Sequence, residues 1–349
     1  MQKVVQTDQN VIDEVERTRW KRTLMTIAKD WRLYVLLIPM LAFLICFKYM
    51  PIGSILTGFK WGDDESILYN SQWCGFQWLE DVFSGDRAPV FWKAFRNTFV
   101  NSLYGLIFGF PIPIILALLF SEIKNQYYRS FLQVACYLPH FVSLVVVTTI
   151  ITLWCRKGID DLNQNIAPGM LYRVFEFFGL NKDSTGEVIE ISLLEHPKFF
   201  RPIYQISGVW EGAGYGSIVY FAAILAISPT SYEAARIDGA SKLQQIRYVT
   251  FPGMAPTLTI MLIMRIGQIL NVGYEKIILM CGDTVYSWET AQVISTYVYS
   301  MSGKSTIEGS AEPIKQIGIV MDLFNALLAM CLVLGANAIS RRVSSTSLF

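Results

Sequence analysis

The sequence predicts an all-α membrane protein built on six transmembrane helices. Three observations carry that prediction. Six apolar runs each come near the roughly 20 residues that a helix needs to cross a bilayer. Hydrophobic residues make up 53% of the chain and charged residues only 16%, against about 25% charged in an ordinary soluble domain. Proline also falls inside the runs (Pro39, Pro51, Pro111, Pro113), where membrane helices tolerate it better than soluble ones do. A net charge of +1 leaves no electrostatic argument for nucleic acid.

Residues 1–30 form a polar tail ending in the basic cluster Arg17, Arg19, Lys21, Arg22 and Lys29, and 31–349 form the membrane domain. The apolar runs place spans near 33–57, 95–120, 131–153, 205–227, 255–280 and 317–339. Residues 58–92 are acidic and aromatic (Trp61, Asp63, Asp64, Glu65, Trp73, Trp78) and read as an outer loop. Residues 155–203 are a long polar stretch with short amphipathic pieces such as Tyr172–Phe178. Lys and Arg are denser in the segments that share a side with the N-terminus, which puts both termini in the cytoplasm of a multi-pass plasma-membrane protein.

Between the fourth and fifth spans the segment 229–254 is polar, too long for a tight turn and rich in helix formers. Tyr232–Asp238 reads as one short helix and Ser241–Val249 as a second. Gly239 between them suits a left-handed break, and Pro229 and Pro252 bracket the unit. A helix–glycine–helix elbow held between two spans is a stiff knob suited to docking another protein.

In the fifth span Arg265, Gln268, Val272 and Glu275 recur at helical spacing, with Asn271 and Tyr274 beside them, forming one polar stripe. Amides and charges bind hydroxyls and aromatic faces stack on ring C–H groups, so the stripe suits the path of a polar solute. A hydrogen-bonded or ion-paired network is the competing reading, with Arg265 on Asp322 or Glu211. Arg265 suits a solute carboxylate equally well. Trp210 and Tyr215 in the fourth span serve as stacking platforms for that solute or as interface anchors, and Gly212 and Gly216 permit close helix contact. His140 beside Pro139 reads as an interior residue, and Asp322 and Asn325 as packing groups. Cys74 and Cys281 fall in predicted outer loops, where a disulfide between them is open.

No catalytic constellation, metal cluster or cofactor site appears. There is no CxxC pair, the two histidines are His140 and His196, and no P-loop GxxxxGK[ST] is present.

Glu233-Ala234-Ala235, Asp238-Gly239-Ala240 and Val249-Thr250-Phe251-Pro252 resemble the EAA signature of binding-protein-dependent ABC importer permeases. Val249 and Phe251 stand where that signature has Ile and Leu. Together with Leu138-Pro139-His140-Phe141, Asn271-Val272-Gly273-Tyr274-Glu275-Lys276-Ile277 and Val293-Ile294-Ser295-Thr296-Tyr297-Val298-Tyr299, the chain is similar to the LplB-type branch of carbohydrate permeases from about Trp31 onward. The loops 155–203 and 302–314 depart from the usual pattern. The resemblance implies a type I importer permease fold, MetI- and MalF-like, with cytoplasmic coupling helices. It implies a transport subunit rather than an enzyme, and as partners a second, MalG-like permease, two ATPases that carry ATP and Mg, and an extracellular solute-binding lipoprotein. It also implies an oligosaccharide substrate, often with uronic acids. Glu233, Ala234, Ala235, Asp238, Gly239 and Pro252 would then form the ATPase-coupling site, with Glu233 as contact and Gly239 as hinge. A permease for another solute, an intramembrane enzyme using His140 with Asp322 or Glu211, and a scaffold that only docks an ATPase are the rival readings.

Overall fold

The computed structural model describes residues 25–26, 29–61, 72–161, 164–180, 191–281, 288–301 and 314–343. Most of the 1–30 tail, the acidic side chains Asp63, Asp64 and Glu65, and 302–313 lie outside these residues.

Helix α1, Trp31–Leu44, continues through a π-turn (Ile45–Tyr49) and a 3-10 stretch (Met50–Phe59), so the first run is helical to Phe59. Its side chains are almost all exposed, as expected of a helix meant to be solvated by lipid. After α2, Gln77–Ser84, helices α3, Ala88–Gly109, and α4, Pro111–Glu122, form one run joined at Phe110. Then come α5, Gln126–Phe141, and α6, Leu144–Cys155. Among the described residues four helical runs are long and apolar enough to cross a membrane, and up to six if each of two bent pairs counts as one span.

The third predicted span is not one helix. α5 and α6 meet at 92°, because Val142 is extended and Ser143 opens a new helix after Pro139 has broken the donor ladder. Beyond α6 a small antiparallel hairpin pairs β1, Ile159–Asp161, with β2, Gln164–Ile166, a minor addition to an otherwise helical protein. Helix α7, Met170–Phe177, follows.

α8, Pro197–Leu225, begins well before the predicted fourth span. Pro197 occupies its first turn, and the His196 ring Nδ1 accepts from the Lys198 amide at 3.2 Å as a cap. α8 is the hub, packing against α3, α4 and α5. Its small residues set those distances. A Cβ on Gly214 would fall 2.0 Å from the Cys136 carbonyl oxygen of α5, and one on Gly216 3.5 Å from Pro113 of α4. Gly212, expected to share in close contact, has open space instead.

The elbow follows as α9, Pro229–Ile237, and α10, Lys242–Gln245. Pro252 does not end it. A π-turn, Ile246–Thr250, leads straight into α11, Phe251–Gly267, giving one helix from Lys242 to Gly267. The π-turn re-routes the backbone bonds next to the imino acid, so the missing donor is absorbed. The predicted fifth span does end early. After Gly267 the chain leaves the helix and resumes it only in α12, Tyr274–Cys281. Asn271 and Gly273, both poor helix formers, lie in the gap. The freed carbonyls find side chains: Asn325 donates to the Leu270 oxygen at 3.5 Å, and the Ser295 hydroxyl donates to the Val272 oxygen. The polar stripe is therefore not a helical face.

α13, Trp288–Ala291, α14, Ile294–Met301, and α15, Lys315–Val343, complete the chain. Among the described residues three apolar cores hold it. One, around Ile114, Tyr220, Ile224 and Met254, lies near the elbow. A second, around Phe91, Tyr297 and Met321, joins α3, α14 and α15. The third, around Ile151, Leu193, Phe200 and Ile277, forms a cap at the opposite end. Cys281 belongs to that cap, while Cys74 lies beside Phe59. Both are buried, and no disulfide joins them.

Candidate functional site

Two sites emerge, one at each end of the helix Lys242–Gly267. At its start the elbow is locked by its own backbone. The Gly239 amide donates to the Arg236 oxygen at 3.0 Å and the Ala240 amide to the Ala235 oxygen at 2.9 Å. That paired closure needs a left-handed residue, and Gly239 has φ +77°. Two residues on, Ser241 and Gln244 form a reciprocal capping box, with the Ser241 amide donating to Gln244 Oε1 at 2.7 Å. The buried Gln245 amide donates to the Ala240 oxygen at 2.9 Å, and the Tyr232 and Thr250 hydroxyls lie 3.0 Å apart. Lys242 reaches Glu122 at the end of α4 at 2.7 Å.

The outer surface of this locked unit is unsatisfied. Ile237, Leu243 and Tyr248 are 86%, 79% and 67% exposed. Ala234 is exposed and Ala235 half-buried. Glu233 and Asp238 are exposed, and among the described residues neither carboxylate has an ion-pair partner. Pro252 lies in the helix beyond, where the adjacent Gly253 lets that helix approach Ile227. Apolar tips around free carboxylates on a rigid frame are the makings of a protein interface.

At the far end of the same helix a cavity of about 290 Å³ opens between α3, α8 and the helix break. Arg265, Gln268 and Asn271 line it, together with Asn101, Gln205 and Lys276. Lys276 Nζ pairs with Glu211 Oε2 at 2.9 Å, both side chains being largely buried, and sits 5.6 Å from the Tyr204 ring centre. Gly208 leaves room for that ammonium, 3.8 Å from where a Cβ would stand. Lys276 thus takes Glu211, the partner weighed for Arg265. Arg265 has no ion pair with Glu211 or Asp322 among the described residues.

The other predicted path residues lie elsewhere. Tyr274 stacks on Tyr299 with ring centres 4.9 Å apart. Tyr215 stacks on His140 at 4.0 Å, but both are exposed, so His140 is not the interior residue expected. Trp210 and Glu275 are exposed and do not line the cavity. A neighbouring cluster escapes the sequence reading. Arg201 donates to Asn101 Oδ1 and Asn97 Oδ1, both at 3.1 Å, and Gln205 donates to the Asn101 oxygen at 2.8 Å. The Asn101 amide nitrogen and the Ser102 hydroxyl are buried beside the cavity with no hydrogen-bond partner among the described residues. The available signal was a matched four-residue spacing, Asn97 and Asn101 on one apolar helix against Arg201 and Gln205 on another.

Residues 109–345, which hold the elbow and the helix break, match the family described as binding-protein-dependent transport system inner membrane component. The chain belongs to this family. Its members are membrane subunits of transport systems, so the chain is a transport component and not an enzyme. It is 32% identical to Protein LplB of Bacillus subtilis, across 93% of this chain and 92% of that one. It is 29% identical to the polygalacturonan/rhamnogalacturonan transport system permease protein YteP of the same organism, across 96% and 95%. Among solved structures it superposes, with TM-score 0.76 and 35% identity over 93% of this chain and all of the other, on a chain of a bacterial ABC transporter that imports the acidic polysaccharide alginate. That transporter is also known in complex with its alginate pentasaccharide-bound periplasmic protein. The likeness covers 93% of the chain and shows the permease fold that the resemblance implies.

Proposed function

We propose that the chain is one permease subunit of an ABC importer for acidic oligosaccharides, with the cavity at the helix break on the substrate path. The observation that carries the acidic substrate is Arg265, a cation with no ion-pair partner among the described residues, at a cavity it lines together with the amides of Asn101, Gln205, Gln268 and Asn271 and the ion-paired Lys276. Guanidinium binds carboxylate in a planar two-point fashion, and the buried Asn101 and Ser102 donors suit hydroxyls. Two relatives are named for polymers that contain acidic sugars.

In this reading the elbow lies in the cytoplasm, both termini lie on that side, and Glu233, Ala234, Ala235, Asp238 and Gly239 dock a separate ATPase that binds ATP and Mg. A second, MalG-like permease completes the path, two ATPases power it, and an extracellular solute-binding lipoprotein delivers the sugar. Oligosaccharide uptake by cells carrying Arg265→Gln, Gln268→Ala or Asn271→Ala tests the site. Loss of a charge-assisted hydrogen bond costs about 1.5–3 kcal/mol, so Arg265→Gln lowers uptake of oligogalacturonides roughly tenfold or more and spares neutral oligosaccharides of equal length. Unchanged affinity and rate in all three variants would remove the site. Equal losses for acidic and neutral sugars would remove the preference for acid.

A further inference from the structure

Helix α7 has a face that neither the substrate path nor the elbow explains. Its residues divide into three sectors at helical spacing. Tyr172 is buried, and Leu171 and Phe175 are packed against the cap core, with the Phe175 ring 5.3 Å from Phe199. Arg173 and Glu176 project into the open three residues apart, forming a charged sector. Met170, Val174 and Phe177, spaced by four and three, make the third sector, apolar and exposed, with Phe177 85% accessible. Phe178 and Leu180 extend this apolar surface beyond the helix end, and the Phe178 ring packs edge-on to Phe177 at 5.3 Å.

The location of the helix says what covers that face. α7 starts directly on the last turn of α6. The Gly169 amide donates to the Arg156 oxygen at 2.8 Å, and a Cβ on Gly169 would lie 2.2 Å from the Trp154 oxygen and 2.3 Å from the Leu153 oxygen. Leu153 and Trp154 are themselves exposed at the end of an apolar helix whose bent pair is together long and apolar enough to cross a membrane. Leu153 and Trp154 are in position for the aromatic and apolar belt where a bilayer meets water. A helix anchored at that level, with one side on protein and one side charged, has its third side toward lipid. A transient protein partner would meet a surface with polar groups dispersed through it. Here the stripe itself carries none.

We infer that α7 is a membrane-surface helix: its Met170–Val174–Phe177 stripe is seated in the headgroup–acyl boundary of the leaflet opposite the elbow, holding the cap at a fixed depth. Photocrosslinking in the assembled importer, in native membranes with its binding protein present, tests this. Replacing Phe177 by p-benzoylphenylalanine keeps an aromatic group at an exposed position. On irradiation the expected product is a phospholipid adduct, identified by mass, and the same probe in place of Glu176 yields none. A probe in place of Met170 reports on the same stripe where the Phe177 variant fails to assemble. A protein adduct to the binding protein or the second permease at these positions overturns the inference, and so does the absence of any adduct, since that places the stripe in water.

Discussion

Gly239 offers a perturbation whose outcome separates conformation from size. The residue stands at φ +77°, and a Cβ placed on it would meet nothing within 4 Å. Any cost of substitution is therefore backbone cost alone. An L-residue with a Cβ spends about 1–2 kcal/mol in the left-handed region, Asn less because its short polar side chain suits it. Proline cannot reach it at all, its φ being held near −65°. Such a penalty weakens the closure between Gly239 and Arg236 and shifts the elbow from its locked form by a factor of about 5 to 30. In proteoliposomes containing the whole importer, sugar moved per ATP hydrolysed is expected to rank wild type and Gly239→Asn above Gly239→Ala, then Gly239→Val, with Gly239→Pro lowest. Insertion and complex assembly stay normal for Asn and Ala. Size alone predicts a different order, because Asn is larger than Ala. A Gly239→Asn variant as impaired as Gly239→Val would refute the reasoning, as would a Gly239→Pro complex with normal stimulated ATPase activity and uptake.

Breaking the Lys276–Glu211 pair by Glu211→Gln or Lys276→Met leaves a charge near-buried, and each change is expected to destabilise by about 2–3 kcal/mol, discounted from the fully buried case because Glu211 keeps partial access. The double variant recovers part of that loss, and a double-mutant cycle on the thermal unfolding of the purified complex measures it. Gly214→Ala drives a methyl into the Cys136 carbonyl and is expected to cost assembly, whereas Gly212→Ala is accommodated; membrane yield and monodispersity on size exclusion compare them. Lys242→Ala removes an ion pair whose two side chains are 60% and 46% exposed, and a stability change beyond about 1 kcal/mol in a melting curve would contradict its surface character. Cys74 is buried with its thiol pKa pushed up by that burial, so a maleimide labels it slowly until the protein is denatured, as counted by mass spectrometry with and without urea.

The elbow is legible in the sequence because it is local. Gly239, the Ser241 cap and the flanking helix formers act within a few residues of each other, and the structure differs there in starting the first helix at Pro229 and in running the second through a π-turn and Pro252. The cavity is partly legible. Arg265, Gln268 and Asn271 stand out as polar residues in an apolar run, yet their reading as one helical stripe fails. The break after Gly267 depends on Asn325 and Ser295 from distant segments, which stabilise carbonyls that an isolated helix would satisfy itself. The choice of Lys276 over Arg265 as partner for Glu211 is likewise tertiary, set by the space Gly208 leaves. Arg201 with Asn97 and Asn101 is harder still, since a cation held by two neutral amides about a hundred residues away has no charge pattern to announce it.

The unbroken helix from Lys242 to Gly267 spans about 39 Å at 1.5 Å per residue. Its first turn belongs to the knob and its last holds Arg265. The other half of the knob is joined to α8 through a 69° bend and not by continuous helix. The two halves are thus mechanically unequal: one is a push-rod ending at the cavity wall, the other a pivot. A force applied to the knob is delivered first to Arg265 and the unwound segment behind it, the part of the wall whose backbone is held by side chains and not by its own helix. Engaging the knob would reshape that wall before it moves the hub helix.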